Sequence, residues 1–101
     1  MTSERTGRVS ALIQSSVDVG VQSTLVLGEN KDRRAALFIN DSDAVVYLSQ
    51  GEPAVMNIGI RLNPGGGAFE LTLEYGNLYC GEIYAIQNAG GLQKLLVTEG
   101  V

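Results

Sequence analysis

Histidine and tryptophan are missing from this chain of 101 residues, cysteine occurs once and proline twice. Each gap excludes something. Without histidine there is no imidazole to act as general base, to complete a nucleophile pair or to ligate zinc in the usual way. Cys80 stands alone, so no internal disulfide can staple the fold as in small secreted domains. It sits beside Tyr79 in an apolar context with nothing to activate it, and reads as a buried, inert thiol. No apolar run approaches the roughly 20 residues needed to cross a bilayer. The first residues, Met1 to Arg8, are polar and unlike a signal peptide. The expectation is synthesis in the cytoplasm without secretion by the usual route.

Basic residues are also scarce. Seven Lys and Arg face eleven Asp and Glu, for a net charge of −4. Nucleic-acid affinity comes largely from neutralising phosphates with Lys and Arg, so this balance argues against such a partner. Arg5, Arg8, Arg33 and Arg34 nevertheless cluster loosely in sequence. They read either as solvated charges near the N-terminus and at one strand entrance, or as a contact site. They are the candidate partner-binding residues.

What is present is an ordinary globular balance, 45% apolar and 18% charged, with 13 glycines. The length fits one domain. Residues 1 to 7 form a polar arm with nothing to bury, read as a frayed terminus or as an arm that orders on a neighbouring subunit. Residues 8 to 101 form the domain. Val17, Val19 and Val21 alternate with polar residues, the period of a strand with one buried face. Leu12 breaks that alternation just before them. Leu25, Val26 and Leu27 follow, and residues 28 to 32 make a loop.

The strongest local signal is Arg34 to Gly51. Two apolar stretches, centred on Phe38 and on Tyr47, flank Asn40-Asp41-Ser42-Asp43, four consecutive turn formers. This predicts a hairpin. Both faces of both strands are apolar, so each belongs in the middle of a sheet or against a neighbour. A second hairpin is expected over residues 54 to 73, turning at Asn63-Pro64-Gly65-Gly66-Gly67, with Gly59 marking a bulge or close backbone approach. Strands over 82 to 87 and 92 to 99 complete the pattern. Turn signals recur every 8 to 12 residues or so, the spacing of a sandwich or jelly roll. The expectation is an all-β, single-domain antiparallel β-sandwich or jelly-roll-like barrel of about seven or eight short strands.

Chemistry-bearing patterns are weak. Gly65-Gly66-Gly67 precedes a strand, whereas a phosphate loop needs a helix N-terminus behind it. Asp41 and Asp43 lack a third acid nearby for calcium. Glu70, Glu74, Glu82 and Glu99 are dispersed, and a chain this small offers little room for a cleft between an acid pair. Four tyrosines, at 47, 75, 79 and 84, could present a glycan-binding face or could be satisfied core residues. Asn40-Asp41-Ser42 matches a glycosylation sequon by chance. No catalytic residue, cofactor or metal site is assigned, and the expectation is a protein that is not an enzyme.

One resemblance remains. Residues 33 to 40 (Arg-Arg-Ala-Ala-Leu-Phe-Ile-Asn) lead to Val45-Val46-Tyr47-Leu48, then to residues 59 to 66 (Gly-Ile-Arg-Leu-Asn-Pro-Gly-Gly). Residues 81 to 86 (Gly-Glu-Ile-Tyr-Ala-Ile) and Leu96-Val97-Thr98-Glu99 follow. Over about residues 33 to 99 this pattern resembles small virion structural proteins of tailed bacteriophages, a group that includes capsid decoration, or cement, proteins. The resemblance implies a non-enzymatic protein that binds the phage major capsid protein on the outside of the shell. It also implies a homo-oligomer, with a trimer favoured, located on the virion surface. Its motifs are strands and turns, so a tail-fibre, head-fibre or adhesin-type module binding a host glycan or receptor is the alternative.

Overall fold

Residues with branched or aromatic side chains at alternating positions form strands here, eight of them. The computed structural model describes residues 8–101. The strands are β1 (Leu12–Val19), β2 (Thr24–Leu27), β3 (Ala35–Asn40), β4 (Val46–Gln50), β5 (Ile60–Leu62), β6 (Ala68–Thr72), β7 (Ile83–Gln87) and β8 (Gln93–Gly100). There is no helix among the described residues.

The strands build two four-stranded antiparallel sheets, ordered β1-β8-β3-β6 and β2-β7-β4-β5. Pairing is nested: β1 with β8, β2 with β7, β3 with β6, β4 with β5. Two further ladders, β3 with β8 and β4 with β7, knit these pairs into sheets. This is a β-sandwich with the strand order of an eight-stranded jelly roll.

The two expected hairpins do not form. β3 lies in the first sheet and β4 in the second, and the same holds for β6 and β5. The reason is visible at Asn40, which is fully buried at the end of β3 rather than exposed in a turn. Its Nδ2 donates to the carbonyls of Ala44 at 2.7 Å and Leu62 at 3.0 Å. Ser42 Oγ donates to its Oδ1 at 2.6 Å. The amide therefore holds the chain as it crosses from one sheet to the other. The expected central placement of both strands holds, β3 between β8 and β6, β4 between β7 and β5.

Between the sheets lies the main core. Phe38, Leu48, Leu71, Ile83, Leu95 and Val97 are almost completely buried there. In β3 the inward set is Ala36, Phe38 and Asn40, and the outward residues are half-exposed. β4 is covered on both faces. Val46 and Leu48 join the main core, while Tyr47 joins a second cluster with Ala54 and Ile86, flanked by Val45, Met56 and Tyr84. That second cluster exists because residues 51 to 59 fold back as a strap. The Tyr47 hydroxyl donates to Asn57 Oδ1 at 3.0 Å, and the Ala54 amide donates to Ser23 Oγ at 2.8 Å. Asn57 (φ 67°) and Gly59 (φ 102°) take left-handed backbone there, which strand geometry does not allow. A side chain at Gly59 would collide with the Leu48 carbonyl. β5 is consequently confined to Ile60–Leu62, shorter than the alternation from residue 54 predicts.

Candidate interaction surface

One end of the sandwich gathers four connections, residues 20 to 23, 41 to 45, 63 to 67 and 88 to 92. Backbone bonds tie the second and third to each other and to β3 and β8: Gly65 N–H to Ser42 O at 2.9 Å, Gly66 N–H to Asn40 O at 2.8 Å, and Asp41 N–H to Lys94 O at 3.1 Å. Gly65 and Gly66 adopt φ of 73° and 111° to reach these bonds. The triple glycine thus serves an inter-sheet crossing.

Gln87 does at this end what Asn40 does nearby. It is fully buried. Its Nε2 donates to the carbonyls of Val19 at 3.1 Å and Gly91 at 2.9 Å, and its Oε1 accepts from the Ala89 amide at 2.7 Å. Replacing Gln87 by alanine removes these bonds and strands the buried Val19 carbonyl, at roughly 1–3 kcal/mol for such a group left unpaired. The expected result is a loss of about 1–3 kcal/mol in urea unfolding, with faster amide exchange at Ala89. Unchanged exchange there would show that the side chain does not organise this loop.

Beside these loops lies an open depression of about 360 Å³, lined by Asp41, Ser42, Asp43, Gly65, Leu92, Gln93 and Lys94. A second one adjoins it, where Val21 and Leu92 stand exposed. Among the described residues no three Cys, Asp or Glu side chains gather as a metal site would require.

The opposite end is organised by Arg33, which sequence reasoning placed among the solvated or partner-contacting arginines. It is fully buried. Nε donates to Glu99 Oε2 at 2.7 Å. Nη1 donates to the carbonyls of Tyr79 and Gly81 at 2.8 and 3.0 Å, and Nη2 to that of Gly28 at 2.7 Å. The planar fork thereby joins β8 to two of the loops at this end, residues 28 to 34 and 73 to 82. Arg33 has no surface to offer. Arg34 is half-buried, and its Nη1 donates to the carbonyl of the exposed Arg8 at 2.7 Å. Arg8 and Arg34 are thus brought together, Arg33 is turned inward, and Arg5 lies outside the described residues.

The tyrosines do not gather into a flat platform. Tyr47 is buried under the strap, and Tyr79 packs against the core. Tyr75 is well exposed. The Tyr84 hydroxyl donates to Glu82 Oε1 at 2.9 Å. That bond, with lesser contributions from desolvation and from the Glu82 charge, holds its phenol above the ordinary value of 10.0. Cys80 is half-buried, with Sγ 3.6 Å from the Arg33 carbonyl.

Two adjacent exposed apolar side chains begin β1. Leu12 and Ile13, adjacent in β1, are 63% and 54% exposed. Because neighbours in a strand point to opposite faces, β1 is uncovered on both sides at its start. On the outer face of the first sheet, Ser16, Leu96, Ile39 and Ala68 form one cross-strand row. Leu96 in that row is exposed and Ile39 half-exposed. Sequence reasoning did not single out this surface. The signal was the Leu12-Ile13 pair, where apolar residues occupy both phases of an otherwise alternating strand.

No family model, curated protein or solved structure matches this chain.

Proposed function

We propose that this chain is a non-enzymatic structural protein of a bacteriophage virion, a decoration protein that binds the outside of the major capsid shell and stabilises it as a homo-oligomer. The observation that carries the reading is how the chain spends its polar and apolar groups. Its buried polar side chains Arg33, Asn40, Gln87 and Glu99 are all committed to holding loops and strands in place. Its exposed apolar side chains are left uncommitted, on β1, at Leu96 on the outer face of the first sheet, and at Val21, Leu25, Val55, Ile58, Tyr75 and Leu92. That division suits a rigid body that works by contact. A partner that binds only the folded, assembled shell stabilises that shell by mass action. The residues of the phage-like pattern supply the frame itself, from Arg33 at one end to Glu99, its ion-pair partner.

The loop end supports a second reading, a module that binds a host glycan or receptor. The polar depression between Asp41, Gly65 and Lys94 is the observation in its favour. Mixing the purified protein with undecorated, expanded capsids separates the two. Saturable binding at a fixed copy number per capsomer is expected. No binding to capsids together with hits on a glycan array would replace the first reading with the second.

A further inference from the structure

The two sheets have four edges, and three of them are protected. β2 is four residues long and carries a register shift between Leu25 and Leu27. β5 has only three residues. β6 is covered by the Asn77 side chain, which donates to the Glu70 carbonyl at 3.0 Å and accepts from the Thr72 amide at 3.0 Å. These are the ordinary devices that keep sheet edges from pairing with other chains.

β1 has none of them. It runs eight residues in unbroken register with β8 and contains no proline, lysine or arginine. Its hydrogen-bonding phase follows from its start. Ala11 and Val101 exchange both backbone bonds, at 3.0 and 2.9 Å. In an antiparallel ladder such pairs recur at every second residue. Ile13, Ser15, Val17 and Val19 therefore direct their N–H and C=O groups at β8. Leu12, Gln14, Ser16 and Asp18 direct theirs away from it, to the open edge, where no described residue meets them.

We infer that β1 pairs with β1 of a second copy about a two-fold axis through Ser15. The four outward residues are symmetric about that position. Antiparallel pairing sets Leu12 against Asp18 of the second copy and Gln14 against Ser16. Four hydrogen-bonded pairs with two bonds each give about eight backbone bonds. Ile13, now exposed, meets Val17 of the second copy. Asp18 is the strand's sole charge, and this register holds the two Asp18 residues six positions, roughly 20 Å, apart, beyond the reach of screened repulsion. A second copy fits better than an unrelated strand because a two-fold contact consumes both open edges at once. The assembly closes instead of propagating. The product is a continuous eight-stranded sheet with the outer apolar rows of both copies on one surface.

This inference does not depend on the capsid reading, and it replaces the implied trimer with an even-numbered assembly. The test is light scattering on the full chain at micromolar concentration. A mass of two chains, or a higher even number, is expected. Gln14→Pro removes only an outward amide, leaving the ladder to β8 intact, and should shift the mass of a folded protein to that of one chain. Ser15→Cys in a Cys80→Ser background gives an independent reading. Ser15 would face its own copy as a non-hydrogen-bonded pair, with Cα atoms about 4.5 Å apart, within disulfide reach. Oxidation should cross-link Ser15→Cys into dimers and leave Ser16→Cys uncross-linked. A wild-type monomer, a trimer, or cross-linking no better at position 15 than at 16 would overturn the proposal.

Discussion

Replacing Arg33 by alanine is expected to cost about 3–5 kcal/mol of folding stability, the range for removing one member of a buried ion pair. The guanidinium has no exposed surface and makes four hydrogen bonds to four different residues. Its loss leaves the Glu99 carboxylate, on a side chain only 11% exposed, without a counter-ion. It also strands the carbonyls of Gly28, Tyr79 and Gly81. A domain of this size has about 5–15 kcal/mol in total, so the variant should melt roughly 12 °C or more below the parent. Lysine should not restore it, because an ammonium cannot reproduce the planar fork that reaches both loops and Glu99 together. Arg34→Ala provides the contrast. Arg34 is half-buried with a single bond to Arg8, and its loss should cost less than about 1 kcal/mol. Urea unfolding of the three variants decides the matter. Equal losses at positions 33 and 34 would mean that the pin is not what holds this end.

The second large effect is expected at Phe38. Truncation to alanine should cost about 3–5 kcal/mol. The ring is completely buried at the centre of the first sheet, with Val97 opposite on β8 and Phe69 opposite on β6. Ladders on both sides of β3 fix its backbone, so neighbours cannot collapse into the space, and the cavity term is added to the transfer term. Leu96→Ala, on the outer face of the same sheet, removes a side chain that is already 36% exposed and should cost under about 1 kcal/mol in a single chain. The measurement is the urea midpoint at unchanged slope. A Phe38→Ala cost near 1 kcal/mol would show that the sheets close over the gap, contrary to a core fixed by its ladders.

Much of the fold was legible because strand formation is a local matter. Alternation and short apolar runs located β1, β2, β3, β4, β6, β7 and β8 within a few residues, and two apolar faces placed β3 and β4 in the interior of their sheets. Pairing was not legible. Turn formers at 40 to 43 and 63 to 67 signal that the chain reverses, and reversal within a sheet and crossing between sheets use the same residues. The choice is made by contacts remote in sequence, such as the Asn40 amide with the Leu62 carbonyl. Arg33 was misjudged for a similar reason. An arginine beside another at a strand entrance looks solvated until a glutamate 66 positions away is found against it. Asn57 and Gly59 hid the strap, since their backbone interrupts an alternation that the side chains alone would continue. The β1 surface had a signal in Leu12-Ile13, but its meaning depends on which strands lie at the edges.

The nested pairing has a consequence for how this protein can be made. Every ladder joins one of the first four strands to one of the last four. Among the described residues, neither β1 to β4 nor β5 to β8 contains a native strand pair of its own. During synthesis the first fifty residues therefore have no native sheet to join, and wait as unpaired, apolar strands until β5 has emerged. A break between β4 and β5 would leave neither fragment with a native ladder, so that connection is the one whose loss divides every strand from its partners.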